Sequence, residues 1–188
     1  MPHSTPPRST NWYVFTGAPC SGKSAVIQAL ERRGFKVIQE TARSYIDSKL
    51  AKGLSLKEIK SDILSFERHI LFEKVCIEQA LPIDQIVFLD RAVPDSVAYF
   101  QIEGLDGAEV LKHCHHARYR GIFLFDRLRF RADAVRTEDE ELAGRIEGLL
   151  EKCYRQLGYP IIRVPVMPVK RRTEWILGQV RSQGSDPH

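Results

Sequence analysis

Short apolar runs alternate along the chain with longer stretches of helical periodicity. Trp12 to Thr16 is an apolar run that stops at Gly17 and predicts a strand. Ser24 to Arg33 predicts a helix stopped by Gly34. Phe35 to Gln39 predicts a second strand, and residues 41 to 51 a helix that ends before Gly53. Ser55-x-x-Glu58 is a capping box, in which each residue satisfies a backbone donor near the other. Ile59, Ile63, Phe66, Ile70 and Ile77 then place one apolar face on a long helix ending near Pro82. Gln85 to Leu89 predicts a third strand, 94 to 102 and 108 to 117 two helices, and Gly121 to Phe125 a fourth strand. Thr137-x-x-Glu140 caps another helix, with Leu142, Ile146, Leu149, Cys153 and Leu157 on its buried face. Tyr159 to Val164 predicts the fifth strand, and 169 to 181 the closing helix.

Strands that are apolar throughout, each separated from the next by helices, imply a parallel sheet buried on both faces. The expected fold class is therefore α/β, with three layers around a five-stranded parallel sheet. The 188 residues are enough for one domain that buries roughly 70% of its unfolded surface. Met1 to Thr10 holds three prolines and no apolar period, so residues 1–10 are expected to be a disordered leader and 11–188 a single domain.

Hydrophobic residues make up 43% of the chain and charged residues 28%, which excludes disordered and fibrous classes. Ile86 to Leu89 and Ile122 to Phe125 are among the longest apolar runs and are far too short to cross a bilayer. The N-terminus has no apolar signal region. Cys20, Cys76, Cys114 and Cys153 form no CxxC, which fits free thiols in a reducing cytosol, so the expected location is cytoplasmic. The net charge of +4 does not by itself imply nucleic acid. No basic stripe with interleaved aromatics appears, and no nucleic-acid partner is expected. The expected partners are a nucleotide and a small-molecule acceptor, and a homodimer is compatible with the pattern.

Gly17-Ala18-Pro19-Cys20-Ser21-Gly22-Lys23-Ser24 is a complete G-x-x-x-x-G-K-[ST] between a predicted strand and a predicted helix. The glycines let backbone wrap a phosphate, and amides at a helix N-terminus point at its oxygens. Lys23 is expected to bridge the β- and γ-phosphates of ATP, and the Ser24 hydroxyl to ligate Mg²⁺. Cys20 lies in the loop near a helix N-terminus, which favours its thiolate, although a small loop filler explains it as well.

Three predicted strands end in an acid: Glu40, Asp90 and Asp126. Ligands of open α/β sheets bind outside the carboxyl ends of the strands. Asp90, after Ile-Val-Phe-Leu, has the form of an acid that holds Mg²⁺ directly or through water; the alternative is a strand-end cap. Glu40 precedes Arg43 in Glu-Thr-Ala-Arg and is either a base or substrate contact, or an acid favoured by a helix dipole. Asp126 is expected to pair with a neighbouring arginine. Six arginines fall between Arg118 and Arg136, and Arg127, Arg129, Arg131 and Arg136 lie in a segment with little helical signal. They read as a lid over phosphates near 127–137, or as a solvated basic loop. His113-Cys114-His115-His116 resembles a metal cluster, but neighbouring residues on a helix diverge and no second ligand pair accompanies them.

These blocks together resemble a known group, the P-loop ATPase and kinase-like domains related to the ribosylnicotinamide kinase domain, among the AAA-type predicted ATPases. The resemblance spans most of residues 11 to 180. It is carried by GAPCSGKS at 17–24, Glu-Thr-Ala-Arg at 40–43, and Asp90-Arg91 with Pro-Asp-Ser-Val-Ala-Tyr-Phe at 94–100. Leu-Gly-Tyr at 157–159 and Val-Pro-Val at 164–166 complete it. It implies a P-loop NTPase fold of the nucleoside- and nucleotide-kinase type. It places the base or substrate contact on Glu40, metal and phosphate contacts on Asp90 and Arg91, and lid roles on the arginines from 127 to 136, Arg127 and Arg131 among them. Arg43, beside Glu40 and Arg91, is a further candidate substrate contact.

The expected activity is a kinase that moves the γ-phosphoryl of ATP to a nucleoside-like or metabolite acceptor, with Mg²⁺. The alternative is a slow ATPase or GTPase switch that binds a protein partner or an acidic lipid headgroup. Asn11, before the P-loop, is the chain's sole asparagine, so the N-K-x-D guanine signature is missing. A pocket beside Glu40, Arg43 and Arg91 favours the kinase, and a flat apolar surface favours the switch.

Overall fold

A computed structural model describes residues 8–128 and 137–184. Fifteen elements follow one another: β1 (Arg8–Ser9), β2 (Trp12–Thr16), α1 (Lys23–Glu31), β3 (Lys36–Ile38), α2 (Thr41–Leu50), α3 (Leu56–Ile59), α4 (Ile63–Ala80), β4 (Val87–Asp90), α5 (Asp95–Ile102), α6 (Ala108–Leu111), β5 (Ala117–Arg118), β6 (Gly121–Phe125), α7 (Thr137–Gln156), β7 (Ile161–Val164) and α8 (Val169–Gly184). Five strands form one parallel sheet in the order β3-β4-β2-β6-β7.

The central strands β2, β4 and β6 are buried along their whole length because both faces are covered, whereas the outer strands β3 and β7 carry the exposed Lys36 and Arg163. Tyr13 and Phe15 of β2 join Phe88, Phe123 and Phe125 on one face, packed against Val26, Ile27 and Leu30 of α1 and Ile176, Leu177 and Val180 of α8. Phe15 meets Phe125 with ring centroids 5.0 Å apart and Phe123 edge-on at 5.6 Å. Trp12 and Val14 face the other way, into a cluster with Leu89, Ile122 and Tyr154. The three layers and the five-stranded parallel sheet thus follow the sequence pattern.

The chain leaves β2 for one side of the sheet and later returns to the other, so β2 lies between β4 and β6. That arrangement is a topological switch point, where the carboxyl ends of the strands open a crevice. The segment 17–24 sits at this crevice, between β2 and α1.

Four elements differ from the sequence pattern. Ser55 and Glu58 do form the capping box, with Ser55 N–H donating to Glu58 Oε2 at 2.8 Å, but that helix ends at Ile59. Asp62 starts a new helix by accepting from the Ser65 N–H at 3.0 Å, because a short acidic side chain competes with the helical backbone and caps instead. The helix expected over 108–117 stops at Leu111. Ala117 and Arg118 pair with Arg8 and Ser9 as parallel strands, so the expected leader is structured from Arg8 onward. His113 to His116 therefore lie in a turn. On α7 the buried stripe runs through Ile146, Leu150, Cys153 and Tyr154, and Leu142 is exposed.

Candidate functional site

The loop 17–24 owes its shape to backbone that only certain residues tolerate. Gly17 has φ 134°, and a Cβ there would fall 2.8 Å from the Phe125 carbonyl oxygen. Gly22 has φ 84° at the N-cap of α1, and no side chain caps that helix. The uncapped first-turn amides and the helix dipole leave an N-terminus suited to a phosphate. Cys20 is exposed at φ 58°, a left-handed conformation that costs a non-glycine residue energy. Arg172 of α8 is buried beneath the loop. Its Nη1 donates to the Ser21 carbonyl at 2.6 Å and its Nε to the Pro165 carbonyl at 2.9 Å.

Lys23 lies inside the loop it belongs to. Its Nζ donates to the carbonyls of Gly17 and Ala18, each at 3.0 Å, and to Ser21 Oγ at 3.1 Å. Burial, helped by the nearby Arg91 charge, lowers its pKa to about 7, against the opposing pull of Asp90, Glu40 and Asp95. The ammonium thus holds the loop's own oxygens in place of a ligand's.

The Ser24 hydroxyl donates to Asp90 Oδ2 at 3.2 Å. Asp90 Oδ1 is buried and meets no hydrogen-bond partner among the described residues. Burial raises the Asp90 pKa, partly offset by Lys23. An orphaned carboxylate oxygen beside a hydroxyl, at the mouth of a phosphate-binding loop, is an oxygen donor set that suits Mg²⁺. Asp126 differs: it is half-exposed, and its Oδ1 accepts from Arg163 Nη1 at 3.0 Å.

Across the cavity, Arg91 adopts φ 69°, and its guanidinium turns inward. Its Nε donates to Glu40 Oε1 at 3.1 Å and its Nη1 to Asp95 Oδ1 at 3.4 Å. It also stacks over the Tyr99 ring, 5.0 Å from the centroid. Glu40 occupies the N-cap position of α2 without a capping hydrogen bond, so its carboxylate is free for Arg91. Asp95 is the hub of this wall. It accepts from Thr16 Oγ1 at 2.7 Å, the Ala92 N–H at 3.0 Å and the Tyr154 hydroxyl at 2.5 Å.

A cavity of about 500 Å³ joins these groups. The loop residues 19–24, Glu40 and Arg91 line one part of it, and Phe66, Glu67, Ile70, Lys74, Ser96 and Tyr99 the rest. Arg43 reaches the mouth, exposed and paired with Asp47 at 3.2 Å. Arg127 is not among the lining residues: its Nε lies 3.3 Å from Glu147 and its Nη1 donates to the Glu140 carbonyl, both on α7. Arg129, Arg131 and Arg136 lie outside the described residues. In the histidine turn, His116 sits 2.9 Å from Glu78, whose other oxygen accepts from the Val93 N–H.

Sequence reasoning missed Glu67, Lys74, Asp95, Tyr99 and Arg172. Glu67, Lys74 and Glu78 carried a signal: they sit at helical spacing among the apolar positions of α4, where a charge is costly unless it is used. Asp95 and Tyr99 lie in the Pro-Asp-Ser-Val-Ala-Tyr-Phe block at 94–100, where no local pattern sets them apart from their neighbours. Nothing in the local sequence marked Arg172, whose contacts come from distant parts of the chain.

The AAA domain family matches residues 12–172. No curated protein sequence matches the chain. Among solved structures, thymidylate kinase from Ehrlichia chaffeensis superposes with a TM-score of 0.63 at 15% identity, covering 93% of this chain and 100% of that one. Deoxyadenosine kinase from M. mycoides, with dCMP and a flexible dCDP bound, gives 0.62 at 14% identity, covering 91% and 98%. A NadR protein in complex with NR gives 0.68 at 16% identity, covering 95% of this chain and 52% of that one, so the chain spans about half its length.

Proposed function

The chain belongs to the AAA domain family, has the fold of nucleotide kinases, and from these premises we propose that it is a Mg²⁺-dependent small-molecule kinase. It transfers the γ-phosphoryl of ATP to a nucleoside-like or metabolite acceptor. The observation that carries this reading is the single cavity wall running from the phosphate loop past Ser24 to Glu40, Arg91 and Lys74. A switch needs no second compartment beside its nucleotide; a kinase needs one for the acceptor. Among the described residues no helix is long and apolar enough to cross a membrane.

In this reading, residues 17–24 hold the phosphates with backbone amides. Lys23 leaves the carbonyls of Gly17 and Ala18 for the β- and γ-oxygens. Ser24 and Asp90 would hold Mg²⁺, which when bound would supply charge neutralisation to the phosphates. Glu40 accepts the proton of the acceptor hydroxyl, a role that its place on the cavity wall allows. Arg91 orients Glu40 and adds positive charge beside the transferring group. Arg127 and Arg131 supply lid charges in this reading, for which Arg127 must exchange its contact with Glu147 of α7 for the phosphates.

Lys23→Ala is expected to weaken Mg·ATP binding by about 100-fold, since charge-assisted bonds to the phosphates are lost. Calorimetry on the folded variant checks this, and unchanged affinity contradicts it.

The same lysine predicts a pH dependence. Lys23 titrates near pH 7 in the free protein. Phosphate charge favours its protonated form, so the bound pKa is higher than the free one. Affinity should therefore be constant below pH 7 and fall as pH rises above it, by up to about tenfold per unit. At pH 8 binding should take up about one proton, read as a buffer-dependent heat in calorimetry. A heat independent of buffer would contradict the assignment.

A further inference from the structure

The kinase reading leaves α4 unexplained, because it places two charges of opposite sign inside the cavity. Glu67 and Lys74 are each only 5% exposed, and both line the cavity. They stand seven residues apart on one helix, two turns along the same face. Among the described residues Lys74 Nζ makes one hydrogen bond, to Ser96 Oγ at 3.0 Å, although an ammonium carries three donors. Glu67 accepts no hydrogen bond from any described residue. Ser96 is itself 1% exposed, so the Lys74 ammonium is held in place instead of snorkelling to water.

Resting on the kinase reading, we infer that Glu67 and Lys74 select the acceptor, and that it is a neutral planar ring presenting a carbonyl oxygen beside an N–H. Lys74 donates to the carbonyl, and Glu67 accepts from the N–H. Each group then gains a partner beyond those the described residues give it.

Charge and shape both favour this class over an anionic one. Arg91 is already committed to Glu40 and Asp95, Lys23 to the phosphates, and exposed Arg43 to Asp47. Lys60 sits at the rim with its ammonium over the Phe66 ring. An anionic group in the interior would find Lys74 alone, and Glu67 and Glu40 would oppose it. A neutral donor–acceptor edge leaves the pair balanced. Phe66, Ile70, Ile46 and Tyr99 add two aromatic rings and two aliphatic chains to the lining. Such walls suit a flat ring. Burial raises the Glu67 pKa against the opposing charge of Lys74, and burial lowers that of Lys74 against the charges of Asp95, Glu40 and Glu67, so a ligand that bonds both charged forms offsets a desolvation cost.

Two matched probe pairs test this on the full chain saturated with a non-hydrolysable Mg·ATP analogue. Uridine is compared with 3-methyluridine, and inosine with 1-methylinosine; each methyl removes the N–H and leaves the carbonyl. Orotidine supplies a ring carboxylate. The expected result is that uridine or inosine binds by calorimetry and its N-methyl partner binds at least about 30-fold more weakly, the loss of one hydrogen bond to a charged group. Glu67→Gln should shrink that ratio, and Lys74→Met should weaken the parent ring by a similar factor. If Lys74→Met does not fold, the methyl ratio and Glu67→Gln decide.

Equal binding within each pair, tighter binding of orotidine than of uridine, or no binding of either parent ring overturns the inference. Phosphorylation of an acceptor whose ring is anionic, or that has no such ring edge, would overturn it and leave the kinase reading intact. ADP formation that no acceptor stimulates would remove the kinase reading itself.

Discussion

Asp90→Asn is expected to lower Mg²⁺-dependent turnover by about 100-fold, whereas Asp126→Asn should change it by less than about threefold. Both acids follow sheet strands, yet their surroundings differ. Asp90 is 2% exposed, takes the Ser24 hydroxyl on one oxygen and leaves the other buried without a partner. An amide keeps the shape and removes the charge that binds a divalent cation. Asp126 spends its carboxylate on the exposed Arg163 and makes no contact with Ser24. Raising the Mg²⁺ concentration should partly rescue Asp90→Asn, because weaker binding is offset by mass action. Equal defects in the two variants would remove the distinction, as would an Asp90 variant that ignores Mg²⁺ concentration.

Asp95→Ala should cost about 3–5 kcal/mol of folding stability, the range for removing one partner of a buried charged network. Asp95 is completely buried. It ties Thr16 on β2, Arg91 after β4 and Tyr154 on α7 to the start of α5. Its loss would strand the Arg91 guanidinium with Glu40 alone, and leave two hydroxyls without their acceptor. Asp95→Asn keeps acceptor geometry on one oxygen and should cost less. Urea unfolding of both variants provides the check. A loss below about 1 kcal/mol for Asp95→Ala would mean that water or rearranged side chains satisfy the network.

The sheet was legible in the sequence because its central strands are buried on both faces and are therefore almost wholly apolar. The loop at 17–24 was legible because its chemistry is local: glycines, lysine and serine at fixed spacing between a strand and a helix. Asp90 was legible by its place after an apolar run. What lay hidden depends on chain segments distant in sequence. Arg172 reaches Ser21 across the length of the domain, and no window of sequence contains both. The strand at Ala117–Arg118 exists because Arg8–Ser9 lies beside it, which helical propensity over 108–117 does not register. The break between Ile59 and Ile63 was visible in principle, since Ser61-Asp62 ahead of Ile63 is a capping pattern inside an apolar period. Glu67 and Lys74 were also visible, as charges on an apolar face, but periodicity alone does not say whether such charges pair with each other or await a ligand.

The account stands on phosphoryl transfer, and the most direct measurement is product analysis by mass spectrometry. The protein is incubated with ATP, Mg²⁺ and a library of nucleosides and small metabolites. The account predicts a phosphorylated acceptor formed in equal amount to ADP, abolished in Lys23→Ala. Release of inorganic phosphate as the sole product, unaffected by any acceptor, would contradict it.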